Sequence, residues 1–146
     1  MNRSIVTGVI LSIFYLLSSC GSGTALNEYQ PQNQSEKELT DALLKHTDAR
    51  IAGDIKKILS GIHDECQVNL APYVPLTKRQ LAEVEMDDWT FDGQLYFFDP
   101  EFEITGDTAK VRVKVKIGFA GTRMNIFTMI KENNEWLISE LVLVDL

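Results

Sequence analysis

The 146-residue sequence carries only four prolines and two cysteines, and no Gly-rich phosphate loop, nucleophile elbow or dinucleotide fingerprint. Few prolines leave room for uninterrupted helices and strands. Two cysteines are too few for a disulfide scaffold. There is no surplus of basic residues: the formal net charge is −7, which excludes nucleic acid as a partner because phosphate contacts need a basic surface. Metal ligands are not spaced for an ion. His63, Asp64, Glu65 and Cys66 are consecutive, and sequence neighbours rarely face one metal; Asp87-Asp88 lacks an EF-hand pattern. No cofactor and no metal are expected. What is present, 45% apolar and 24% charged residues, is the composition of one globular domain.

The first segment has a separate character. Met1 to Ser4 holds one positive charge, Arg3, and Ile5 to Leu17 is almost wholly apolar, too short for a membrane span but within signal-peptide range. It ends in Leu17-Ser18-Ser19-Cys20-Gly21, which resembles the lipobox of bacterial lipoproteins. That resemblance implies cleavage after residue 19, lipidation of Cys20, and attachment to the cell envelope through acyl chains. Ser22 is not the aspartate of an inner-membrane retention signal, which favours the outer membrane, periplasmic side, over the inner. Loss of Arg3 would make the mature chain −8. Cys66 then has no partner, and with Asp64 and Glu65 beside it reads as a small buried hydrophobe, not a reactive thiol.

Residues 20–34 are polar and lack apolar periodicity, so a flexible tether with a reach on the order of 20 Å is expected. The folded domain is expected over 35–146. Ser35-Glu36-Lys37-Glu38 reads as a capping box opening a helix to about Ala52, and Asp54 caps a second helix with Ile55, Ile58, Leu59 and Ile62 on one face. A small hairpin follows within 66–75, and Thr77 to Gln80 opens a third helix reaching about Asp87. From Gln94 the period becomes two. Four strands, 94–104, 108–119, 122–131 and 136–144, are separated by Gly106-Asp107, Ala120-Gly121 and Asn133-Asn134, giving an α+β fold with an antiparallel four-stranded meander.

This order is similar to that of NTF2-like (cystatin-like, SnoaL-like) domains. The residues that carry the likeness are Arg50 to Asp54 at the helix junction, the alternating strand from Ala109 to Ile117, and Glu135 to Ile138 after the Asn-Asn turn. The resemblance implies a cone, with N-terminal helices on a curved meander plus a small extra hairpin. The superfamily holds isomerases, dehydratases, ligand binders and scaffolds, so the fold alone names no activity.

A two-residue turn at Gly106-Asp107 sets Glu103 opposite Lys110, Glu101 opposite Arg112 and Asp99 opposite Lys114, a charge ladder on the solvated face, with Pro100 a potential bulge. Carrying this register across a two-residue Ala120-Gly121 turn puts Met124, Ile126 and Ile130 on the core face. A ligand cavity would then lie beneath Val113, Ile126 and Leu141. The same register leaves Phe127 and Met129 on the charged face, and the last strand is apolar on both sides. Arg112, Phe127, Met129, Trp136, Ile138 and Val142 are therefore expected to form an interface for an envelope protein or for a second copy in a homodimer. A catalytic constellation is not evident. His46, on the apolar face of the first helix, and Tyr96 are weak acid–base candidates; Asp48, Tyr73 and Asp99 are weaker. The expected function is a lipid-anchored, non-catalytic binding or scaffold domain. The alternatives are a carrier of a small hydrophobic ligand, and an isomerase- or dehydratase-like enzyme using His46.

Overall fold

A computed structural model describes residues 23–69, 76–83, 95–118 and 121–146. The signal segment, Cys20 and Tyr73 lie outside them. The elements run in the order α1 (Gln34–Ile51), α2 (Ile55–Ser60), β1 (Ile62–Asn69), β2 (Leu76–Thr77), α3 (Lys78–Glu83), β3 (Leu95–Thr105), β4 (Thr108–Ile117), β5 (Thr122–Glu132) and β6 (Glu135–Asp145). A 3₁₀ turn at Leu26–Glu28 precedes α1.

The sheet has six strands in the order β2-β1-β6-β5-β4-β3: the expected four-stranded meander, β3 to β6, is continued by the antiparallel β1–β2 pair. β1 is longer than expected. It begins at Ile62, immediately after Gly61 caps α2, and runs parallel to β6 with Val68 beside Leu141. Such a pairing joins residues far apart in sequence and leaves no local signal. The helices lie on one face of the sheet. The core there is built from Leu39, Leu43, Ile58 and Leu81 against Val111, Val113, Val115 and Phe127, all at 0% exposure.

Helix starts follow their caps. α1 is capped two residues earlier than expected, by Asn33, whose side chain accepts from Glu36 N at 2.9 Å. Glu38, the N3 residue of a Ser35 box, has its carboxylate committed to Lys131 Nζ at 2.7 Å and Trp136 Nε1 at 3.3 Å. With Asn33 as cap the N3 residue is Glu36, whose carboxylate accepts from Tyr29 Oη at 2.8 Å and Gln32 N at 2.9 Å. Asp54 caps α2 through Lys57 N, and Thr77 and Gln80 form a reciprocal box at α3. Residues 84–87, the expected remainder of α3, lie outside the described residues.

The segment before α1 is not a free tether from Gly23 onward. Leu26 is buried at 2%, Ala25 bridges to Phe98 on the β3 edge, and the Tyr29 ring lies 5.4 Å from that of Phe102. The anchor is a bulge in β3. Phe98 faces Lys114 and Glu101 faces Arg112, so Asp99 and Pro100 together oppose Val113. Asp99 takes a left-handed φ of 51°, which a short polar side chain tolerates. Its carboxylate accepts from Thr24 N at 2.8 Å and Lys114 Nζ at 3.0 Å, and its N–H donates to Thr24 O at 2.8 Å. The rest of the ladder stands as expected, with Glu103 opposite Lys110 and Glu101 opposite Arg112.

The β4–β5 register differs from the expected one. Lys116 pairs with Thr122, so the connection is longer than two residues and every β5 side chain changes face. Val111 lies opposite Phe127 and Val113 opposite Asn125. Phe127 (0%) and Met129 (1%) are core residues, whereas Met124, Ile126 and Ile130 are on the outer face. A second irregularity resolves the two-sided apolar pattern of β6. Thr128 pairs with Glu140 but Met129 with Ile138, so Ser139 is an inserted residue. Leu141 and Leu143 face the helices on one side of this bulge, Ile138 and Trp136 on the other.

Candidate functional site

One stripe of α1, Leu39, Leu43, His46 and Arg50, recurs at helical spacing and is buried along its whole length. Two contacts fix how it crosses the sheet. Glu38 meets Lys131, and His46 lies edge-on to Phe127 at 6.3 Å between ring centroids. Eight helical residues rise about 12 Å and four strand residues about 13 Å, so α1 and β5 run antiparallel in step. One turn beyond His46, Arg50 is level with Asn125, two residues beyond Phe127 on the same face. The helix side of the sheet thus buries an imidazole with a guanidinium close enough to act on it, and an amide two residues along β5 from Phe127, among apolar walls from Val111, Val113, Phe127 and Leu141.

These polar groups are buried: His46 at 5%, Arg50 at 9% and Asn125 at 2% exposure. Asn125 Oδ1 and His46 Nδ1 have no hydrogen-bond partner among the described residues. A buried polar atom left unpaired costs about 1–3 kcal/mol, and in a native fold that calls for an explanation. Burial, assisted by the Arg50 charge, drives the His46 pKa down to about 3, so the ring is neutral at physiological pH. Burial also lowers Arg50 to about 10, which leaves it charged.

The His46 shift carries a sign for stability. The ring titrates near 6.5 when unfolded and near 3 when folded, so between these values the unfolded chain binds more protons. The His46 contribution to stability is intact above pH 6.5 and is lost as pH falls toward 3. Within that window it changes by about 1.4 kcal/mol per pH unit. Urea midpoints measured between about pH 6.5 and 5, above the main carboxylate range, should decline in the native chain and much less in His46→Phe.

A surface cleft of about 250 Å³ reaches His46 from solvent, lined also by Met129, Trp136, Ile138, Lys45 and Gly61. Its rim is held by Glu38, whose carboxylate accepts from Lys131 Nζ at 2.7 Å and Trp136 Nε1 at 3.3 Å. The hydrogen bond from Lys131 keeps the Glu38 pKa below the ordinary carboxylate value. This clasp ties the first turns of α1 to the β5–β6 hairpin.

Of the expected cavity residues, Val113 and Leu141 are on the helix side of the sheet, but Ile126 is on the outer face, opposite Arg112 and Val142. The expected interface does not exist as a surface. Phe127, Met129, Trp136 and Ile138 are in the core, displaced there by the β4–β5 register and the Ser139 bulge. Val142 remains half-buried on the outer face, and Arg112 pairs with Glu103 at 3.5 Å. Tyr96 is not in the cone: it sits on the outer face opposite Lys116, 60% exposed. Asp48 is exposed, and Asp99 is committed to the β3 bulge. Cys66 is fully buried, and burial raises its thiol to about 11, as befits a small core residue. Sequence reasoning missed Arg50 and Asn125. Arg50 was legible in its four-residue spacing from His46; Asn125 was placed on the wrong face by the register.

The fold has solved relatives. An NTF2-like protein from Cytophaga hutchinsonii is 16% identical, with a TM-score of 0.63 over 78% of this chain and 99% of that one. A protein of unknown function with a cystatin-like fold from Nostoc punctiforme is 12% identical, with a TM-score of 0.65 over 80% of this chain and 96% of that one. A proposed scytalone dehydratase from Novosphingobium aromaticivorans is 13% identical, with a TM-score of 0.65 over 75% of this chain and 82% of that one. No protein-family model and no curated protein matches the sequence. The α+β fold of this chain is NTF2-like; at these identities the likeness concerns the fold alone.

Proposed function

We propose that this is a lipid-anchored envelope protein whose NTF2-like domain binds a small molecule inside the cone without transforming it. The observation that carries the reading is that two buried atoms, Asn125 Oδ1 and His46 Nδ1, have no hydrogen-bond partner among the described residues, on a helix-side face that is otherwise apolar but for Thr40, Thr47 and Arg50. A ligand with a compact apolar body and a hydroxyl would satisfy them, the hydroxyl donating to Asn125 Oδ1. The cleft of about 250 Å³ that opens on His46, whose lining stops short of Asn125, is smaller than the roughly 300–1,000 Å³ of drug-sized sites, so an entrant by this route would be small. Chemistry is disfavoured by His46 itself. A general base works best with a pKa near the operating pH, and a ring at about 3 is a hydrogen-bonding group instead.

The lipid anchor rests on the Leu17-to-Gly21 pattern and its apolar run, with Cys20 the acylated residue and the outer membrane favoured by Ser22. Partner or self-association through the sheet loses its main support with the burial of Phe127, Met129, Trp136 and Ile138. Native mass spectrometry of the full chain, extracted from its own envelope in mild detergent, tests the binding reading. A defined small-molecule mass on the monomer supports it. A bare chain, or a bare dimer, counts against it.

A further inference from the structure

Three of the four most exposed large apolar side chains among the described residues lie at one end of the sheet: Tyr96 at 60%, Val144 at 40% and Leu146 at 70%. The register joins two of them to others. Tyr96 faces Lys116, Phe98 faces Lys114, Lys114 faces Met124, and Met124 faces Val144. These form one contiguous outer-face patch of aromatic, apolar and lysine side chains. Among the described residues the strand acids at this end are paired, Asp99 with Lys114 at 3.0 Å and Asp145 with Arg123 at 3.2 Å, whereas Lys116 has no ion pair. The other end of the sheet, around the turns at 106–107 and 133–134, carries four acids, Glu103, Asp107, Glu132 and Glu135, against two lysines, Lys110 and Lys131.

The chain leading back to Cys20 leaves from the patch end. Gly23 lies so close to the Asp99 carboxylate that a Cβ there would collide with it; Thr24 and Ala25 are pinned to Asp99 and Phe98. Only three peptide units separate Gly23 from Cys20, a span of at most about 10 Å.

Building on the acylation of Cys20 proposed above, we infer that the end of the sheet carrying Tyr96, Phe98, Lys114 and Lys116 rests on the bilayer surface. The acyl chains must enter the membrane beside this end. Aromatic rings and lysine stems suit the interface between headgroups and hydrocarbon, and the lysine ammonium groups meet anionic headgroups. The acidic end of a mature chain of formal charge −8 is thereby turned away from an anionic surface. The domain stands on the membrane in one orientation, not at the end of a long tether.

The test uses the full acylated chain in vesicles of phosphatidylethanolamine and phosphatidylglycerol. An environment-sensitive label is placed at Lys116→Cys or at Asp107→Cys, about 30 Å apart along the strands; Cys66 is buried and stays unlabelled. Brominated lipids should quench the label at 116 several-fold more than the label at 107. Asp99→Gly keeps the left-handed backbone but removes the carboxylate that holds Thr24 N and Lys114, and should shrink that difference. Equal quenching at both positions, with an acyl mass on the Cys20 peptide, would overturn the orientation and leave the anchor standing. Absence of the acyl mass would overturn both.

Discussion

Replacing Phe127 with alanine is expected to destabilise the domain by about 3–5 kcal/mol, and replacing its neighbour Ile126 with alanine by only about 1 kcal/mol. Phe127 is fully buried, 5.9 Å from the Phe97 ring and 6.3 Å from His46, so its removal leaves a cavity under α1 that rigid neighbours cannot fill. Ile126 lies on the outer face between Arg112 and Val142 and is half-buried. Urea unfolding of both variants at unchanged slope reads the contrast. A two-residue turn at 120–121 would exchange the two faces of β5 and demand the reverse order, so the pair decides the register on which the cone interior depends.

Asn125→Leu should raise the stability of the ligand-free domain by about 1–3 kcal/mol and abolish ligand retention. The two side chains share a branch point and similar volume, and the substitution removes a buried acceptor that has no partner among the described residues. An asparagine that served only the fold would lose stability on replacement. One kept for a ligand gives opposite signs in the two readouts. Thermal unfolding of the apo protein supplies the first, and retention of the bound mass the second. This trade between stability and binding is expected wherever a polar group is held ready for a partner.

Several features of the fold were written in local chemistry. The Gly106-Asp107 and Asn133-Asn134 turns demand positive φ, and the structure shows 58° at Gly106, 50° at Asn133 and 65° at Asn134. Helix α2 was legible in Asp54 and α3 in the Thr77–Gln80 box. What was hidden depends on counting residues through irregular places. Residues 117–121 carry no turn signal that distinguishes a two-residue hairpin from a longer one, yet that difference decides which side of β5 is buried. Ser139 looks like an ordinary polar strand residue, but as a bulge it changes the core parity from Leu141 to Ile138 and makes one buried face look like two.

The candidate site suffered from the same displacement. His46 was legible from helical spacing, and so in principle was Arg50. Asn125 was not, because with Phe127 assigned outward it was one polar residue on a polar face. The start of order was also misread. Leu26 is the one large aliphatic residue between Gly21 and Gln34, and its burial goes with the pinning of Thr24 by the Asp99 bulge far along the chain. Composition describes the average of a segment and cannot report one anchor.

The most direct measurement is a high-resolution crystal structure of the protein extracted from its own envelope, with no ligand added. The cone-interior site requires electron density for an organic molecule inside the cone, with a polar atom at hydrogen-bonding distance from Asn125 Oδ1 and a second contact to His46 Nδ1. An interior closed by protein side chains, or one in which waters alone satisfy both atoms, would contradict it.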